Sequence, residues 1–117
     1  MHTEKEFRQL AEDFRACRAV LAALGDENRL HMLYGMMTAA EPGGVRVGEI
    51  VRRCDLSRPA VSHHLKILKD AGVISMRREG TKNYYYLDPD MPSFRALISV
   101  LQRSVDYAAE LPYRGEE

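Results

Sequence analysis

Leu56-Ser-Arg-Pro-Ala-Val-Ser-His-His-Leu-Lys-Ile-Leu-Lys-Asp-Ala-Gly-Val73 opens with a helix cap and closes with a helix stop. Ser57 offers a hydroxyl to the N–H groups orphaned in a first helical turn, and Pro59 falls in that turn, where its missing donor costs nothing. Val61, Leu65 and Leu68 recur by four and three on one face, and Gly72 ends the run. The positions left outside are Arg58, Ala60, Ser62, His63 and Lys66, a small, polar and basic face.

Upstream, Val47 to Cys54 reads as a short helix with Ile50 and Val51 inward, joined to Ser57 by a tight turn at Asp55-Leu56. A short helix, a turn and a capped helix with a basic outer face form a helix-turn-helix over 47–70. Downstream the period changes from 3.6 to 2. Val73 to Arg78 and Lys82 to Leu87 are β-rich runs joined by Glu79-Gly80-Thr81, predicting a hairpin wing over 73–87. Tyr84, Tyr85 and Tyr86 alternate faces in it, so at least one belongs to the core.

Further out, Phe7, Leu10, Phe14, Cys17, Leu21 and Leu24 step by three and four, which predicts one helix over 3–24, ended by Gly25. Asp26 then starts a helix over 27–40 with Leu30, Leu33 and Met37 buried, Met32, Met36 and Met37 as core filler and His31 facing solvent, and Glu41-Pro-Gly-Gly44 breaks it. Asp88-Pro-Asp-Met-Pro92 ends the hairpin. Ser93 is placed to cap a last helix over 93–110 with the stripe Phe94, Leu97, Leu101, Val105 and Ala108, and 111–117 reads as a frayed tail. The fold class expected is mainly α with a small β-hairpin, a single winged helix-turn-helix domain over 1–117 in the order α-α-α-α-β-β-α.

Composition agrees with one ordinary domain. The chain has 117 residues, 45% hydrophobic and 29% charged, with seventeen Lys and Arg balancing seventeen Asp and Glu. That balance hides a split. Between Val45 and Asn83 nine basic residues face four acidic ones, an excess of five that the flanks cancel, so the middle third either meets a polyanion or is a solvated basic face. No apolar run approaches the roughly 18 residues that span a bilayer, and Met1 to Glu6 lacks the basic and apolar parts of a secretory signal, so the expected location is cytoplasmic. Cys17 and Cys54 have no CxxC spacing and are expected to be reduced.

Three stretches carry a resemblance: Leu24-Gly-Asp-Glu-Asn-Arg-Leu30, the Leu56–Val73 segment, and Arg77-Arg-Glu-Gly-Thr-Lys-Asn-Tyr-Tyr-Tyr-Leu87. In that order, over about residues 10–110, the chain resembles the ArsR/SmtB family of winged-helix repressors. The resemblance implies a homodimer held by the first and last helices, bound to a palindromic operator in double-stranded DNA and released by an effector. The positions matching Arg58, Ser62 and His63 are the ones that commonly contact DNA in that family. Where metal-sensing members carry ligands, this chain has Arg46, Gly48 and Val51, or Phe94, Ala96, Tyr107 and Glu110, so both standard metal sites are expected to be absent.

The residues support the same interface independently. Arg58 can donate two bonds to a guanine edge, Ser62 and His63 can reach bases or phosphates, and Ala60 leaves room for a thymine methyl. Ser57 and the first-turn N–H groups suit a phosphate, and Arg78, Thr81 and Lys82 flank the wing tip at Gly80. Lys66 completes the helix face, while Arg52, Arg53 and Lys69 read as solubilising surface. His63 and His64 point about 100° apart on a helix, which argues against a shared metal ion; His64 reads as a partly buried hydrogen-bonding residue.

Phe7, Leu10, Phe14, Cys17, Leu21, Phe94, Leu97, Leu101, Val105 and Ala108 are the expected dimer contacts, more apolar surface than a domain this size needs for itself. Cys17 and Cys54 fit best as buried apolar residues, with a thiol switch as the alternative. No cofactor is implied. The alternative class is a winged-helix module that docks another protein, which would call for apolar anchors where this helix is basic. With no nucleophile elbow, phosphate loop or carboxylate cluster, the sequence does not read as an enzyme.

Overall fold

The computed structural model describes residues 1–39 and 43–111. In chain order it has α1 (Glu4–Ala16), α2 (Arg18–Leu24), α3 (Glu27–Ala39), β1 (Val45–Arg46), α4 (Val47–Arg52), α5 (Arg58–Asp70), β2 (Ile74–Glu79), β3 (Lys82–Leu87) and α6 (Pro92–Ala108). The strands form one antiparallel sheet in the order β1-β3-β2. The expected breaker at Glu41-Pro42 and the tail from residue 112 lie outside the described residues.

α5 has its expected ends. Ser57 Oγ accepts from the Ala60 N–H at 3.3 Å, and Val61, Leu65 and Leu68 are completely buried. Gly72, at φ +77°, turns the chain out of the helix while its N–H and that of Val73 satisfy the carbonyls of Lys69 and Leu68. Val73 then packs with Leu68 in the core, so the helix stop also launches β2. The hairpin is tighter than expected: Glu79 pairs with Lys82, leaving Gly80-Thr81 as the loop. Gly80 alone there has positive φ, the pattern of a type II′ turn that matches strand twist.

The single helix expected over 3–24 is two. At Cys17 the N–H bonds back three residues to Phe14 instead of four, and the buried face changes from Leu10 to Val20 and Ala23. The two halves have different surroundings: α1 lies along α6, whereas α2 packs against α3 and α5 as well as α6. A capping box between Thr3 and Glu6 starts α1, and Asp13 pairs with Arg103 of α6 at 2.9 Å. His2 stacks on Tyr107 at 3.8 Å and bonds Glu110 through both its backbone and its ring.

Other faces also differ. On α3 the buried residues are Met32, Leu33 and Met36, while Leu30 and Met37 are exposed, because the helix meets α2, α5 and β3 on that side. His31 is exposed, as expected. α4 ends at Arg52, two residues short of Cys54. β1, two residues paired to Tyr85 and Tyr84, was not anticipated. All three tyrosines are half-buried, and Tyr85 packs on the core.

α6 begins one residue early, at Pro92, with Met91 in the left-handed region and no side-chain cap. Ser93 is not the cap: its hydroxyl donates to the Ala71 carbonyl at the end of α5. The inward face of α6 is Leu97, Val100 and Tyr107, while Ile98, Leu101 and Val105 stay 64%, 45% and 68% exposed.

Candidate nucleic-acid interface

The buried seam of α5 sets the direction of everything opposite it. With Val61, Leu65 and Leu68 locked inward, Arg58, Ser62, His63 and Lys66 are exposed, and Ala60 is half-buried at the margin. Ser57 is exposed too. Its oxygen is engaged by the Ala60 N–H, but its own proton remains available to a phosphate. Lys66 reaches forward one turn to Asp70 at 2.6 Å, and this bond holds the Asp70 carboxyl below its usual range. Both partners are well exposed, so the pair is weak and a phosphate can compete for the ammonium.

His64 does not belong to this face. It is half-buried, and its Nδ1 lies 3.1 Å from the Arg29 guanidinium. The neighbouring His63 ring is 6.1 Å away, tilted and exposed, so the two imidazoles look into different surroundings.

On the wing, Arg78, Thr81 and Lys82 are all exposed, with the Arg78 Nε donating to the Gly80 carbonyl at 3.1 Å. Arg77 braces the wing. Its guanidinium pairs with Glu79, donates to the Gly43 carbonyl at 2.9 Å and stacks 4.7 Å from the Tyr84 ring centre.

Two residues that sequence reading left out of the interface stand beside this face in three dimensions. Arg46 and Arg52 line a shallow surface cavity with Arg58, Gly48 and Glu49. Arg52, read as solubilising surface, therefore stands beside the start of the recognition helix. Only a tertiary contact between α4 and α5 creates that neighbourhood, and no local spacing announces it.

Of the expected dimer contacts, Leu10, Cys17 and Leu97 are buried in the chain's own core. Phe14, Leu101, Val105 and Ala108 are exposed, and Phe7, Leu21 and Phe94 half-buried. Ile98 is an exposed apolar residue the reading missed. Cys17 is buried and Cys54 half-buried, both as free thiols. Among the described residues no group of three or more His, Cys, Asp or Glu is placed to hold a metal ion, and no helix is long and apolar enough to cross a membrane.

A capped helix with a buried seam and a polar basic face, preceded by a short helix and followed by a hairpin, defines a winged helix-turn-helix DNA-binding protein. The comparisons place it more closely. The family model for bacterial regulatory proteins of the arsR family matches residues 26–76. An uncharacterised HTH-type transcriptional regulator of Methanocaldococcus jannaschii is 38% identical over 68% of this chain and 85% of that protein. The transcriptional repressor SdpR of Bacillus subtilis is 32% identical over 83% of this chain and 93% of its own length. Among solved structures, an ArsR family transcriptional regulator, RHA00566, superposes with a TM-score of 0.68 over 87% of this chain and 96% of that one, at 20% identity. The chain belongs to the ArsR family, and is a DNA-binding transcriptional regulator rather than an enzyme.

Proposed function

We propose that the chain works in the cytoplasm as a homodimeric repressor that places two copies of α5 in successive major grooves of a palindromic operator and leaves it when an effector binds. The observation that carries this reading is the face of α5: four exposed polar or basic side chains, Arg58, Ser62, His63 and Lys66, opposite a fully buried apolar seam. A protein-docking module would need apolar anchors there.

Dimerisation draws its support from α6 and α1. Ile98, Leu101 and Val105 recur by three and four on the outer face of α6, and Phe14 of α1 is 40% exposed. The radius of gyration, 18.2 Å, exceeds the roughly 13 Å of a compact chain this long. A paired second protomer would cover that apolar surface. Leu101→Glu is then expected to convert a dimer to a monomer in sedimentation.

The function is tested by titrating the protein onto the DNA upstream of its own gene at several salt concentrations. Three or four phosphates neutralised per protomer give a slope of log affinity on log salt of roughly −5 to −7. A slope near zero would remove the mechanism. Repeating the titration with Zn(II), As(III), peroxide and polysulfide, on the parent and on Cys17→Ser and Cys54→Ser, tests the effector; a response lost only in the cysteine variants would assign a thiol role.

A further inference from the structure

The cavity between α4 and α5 has a floor without a side chain and a rim of guanidinium groups. A Cβ built on Gly48 would lie 3.8 Å from an Nη1 of Arg52 and 4.0 Å from an Nη1 of Arg58, so both groups converge over the same glycine. Arg46, the residue just before α4, completes the lining. Three like charges around one hollow repel each other unless an anion sits among them. Inside the protein that anion is Glu49. Its carboxylate pairs with Arg52 through one oxygen and stands 3.9 Å from Arg53 through the other. One carboxylate shared by two arginines leaves the hollow with an excess of positive charge. Glu49 and Arg52 are also 45% and 68% exposed, so the pair is solvent-screened and exchangeable.

We infer that the Arg46–Arg52–Arg58 hollow over Gly48 is a seat for a phosphate group, with Glu49 as its internal competitor. The inference rests on the DNA-binding reading of α5, because Arg58 joins the seat to the helix that reads bases. Planar guanidinium forks match the paired oxygens of a phosphate, as they match those of the Glu49 carboxylate. A phosphate seated there fixes how far along the duplex α5 lies, independently of sequence. The missing side chain at Gly48 admits the group, and Glu49 sets how readily it enters. The same chemistry could be met by a free phosphate, and the two sources are separable.

The experiment uses the full chain and a random-sequence duplex, so that no operator is needed. Affinity is measured across a salt series for the parent, Arg46→Gln, Arg52→Gln, Glu49→Gln and Gly48→Leu. Gly48 lies inside α4 without positive φ, and leucine is a better helix former, so Gly48→Leu is expected to melt no lower than the parent while filling the hollow. In parallel, inorganic phosphate is added to each protein and the melting temperature followed. A backbone phosphate in the seat predicts that Arg52→Gln and Gly48→Leu lose about one unit of salt slope per seat, with an affinity loss of roughly tenfold on all sequences. Glu49→Gln then binds several-fold tighter. A free phosphate in the seat predicts unchanged slopes, with stabilisation by inorganic phosphate that is lost in Arg52→Gln. If neither appears while the parent binds the duplex, the seat is overturned and the DNA-binding reading stands. If the parent binds no duplex at low salt, that reading fails first.

Discussion

The Arg29 guanidinium donates to His64 Nδ1 at 3.1 Å, tying the start of α3 to the middle of the recognition helix. A guanidinium has no lone pair to offer, so Nδ1 is the acceptor and the imidazole proton sits on Nε2. The same side chain donates to the carbonyl of Ala23 at 2.8 Å, at the open end of α2, and to that of Ala22 at 3.1 Å, which also accepts from the Gly25 N–H. Asp26 meanwhile caps α3 by accepting from the Arg29 N–H at 3.1 Å. The Leu24–Leu30 stretch is therefore a joint between three helices. Arg29 is 13% exposed, and Arg29→Ala is expected to cost about 2–3 kcal/mol in urea unfolding, since it strands the Ala23 carbonyl as well as a histidine. Arg29→Lys recovers less than half, because one ammonium cannot reach three acceptors spread over two helices.

Gly72 and Gly80 both have positive φ, yet only one is crowded. A Cβ at Gly72 would meet Ser93 Oγ at 2.4 Å, whereas one at Gly80 meets nothing within 4 Å. Gly80→Ala is expected to cost about 1 kcal/mol, the backbone penalty alone. Gly72→Ala should cost clearly more, and adding Ser93→Ala to it should recover part of the difference. Equal losses in the two single variants would show that the Ser93 contact carries no weight.

Ser57→Ala separates folding from recognition at the same residue. Loss of the N-cap bond to Ala60 is expected to lower stability by about 1 kcal/mol. Arg58→Ala, at an exposed position, should leave stability within about 0.5 kcal/mol and weaken operator binding by about 1–3 kcal/mol. Lys82→Ala on the wing should weaken operator and random DNA alike; a loss confined to the operator would contradict its phosphate role.

Acid should loosen the molecule at identifiable places. The Asp90 N–H, with help from the Ser75 hydroxyl, holds the Asp88 carboxyl below its ordinary 3.8, and the Arg29 N–H does the same for Asp26. Gln9 and Arg103 lower Asp13, and the His2 N–H lowers Glu110 from its ordinary 4.5. A carboxyl whose value is lower in the folded chain than in the unfolded one stabilises the fold fully above its ordinary value. That contribution disappears as the pH falls through the depressed value. The stability gap between the parent and Asp88→Asn is expected to be constant between pH 7 and 5 and to shrink below about pH 4.

α5 was legible because each of its features is local: Ser57 and Pro59 at one end, Gly72 at the other, and the interval from Val61 to Leu65 to Leu68 between them. The interface residues followed by elimination from that seam. The break at Cys17 was not legible, since it involves neither glycine nor proline and falls where the chain passes from lying along α6 alone to packing on α3 and α5 as well. β1 is too short to show a period. α6 misled for the opposite reason: it carries apolar residues on two faces, so Phe94, Leu97, Leu101, Val105 and Ala108 traced a stripe mixing the buried face of Leu97, Val100 and Tyr107 with the exposed one of Ile98, Leu101 and Val105. The Arg46 and Arg52 contribution is a product of folding alone.

The complete burial of Val61, Leu65 and Leu68 has a mechanical consequence. A close-packed seam resists gradual deformation, so α5 and the core beneath it behave as one rigid block. In the proposed dimer, a regulating signal would therefore act on the pitch and separation of two such blocks and leave α5 itself unbent.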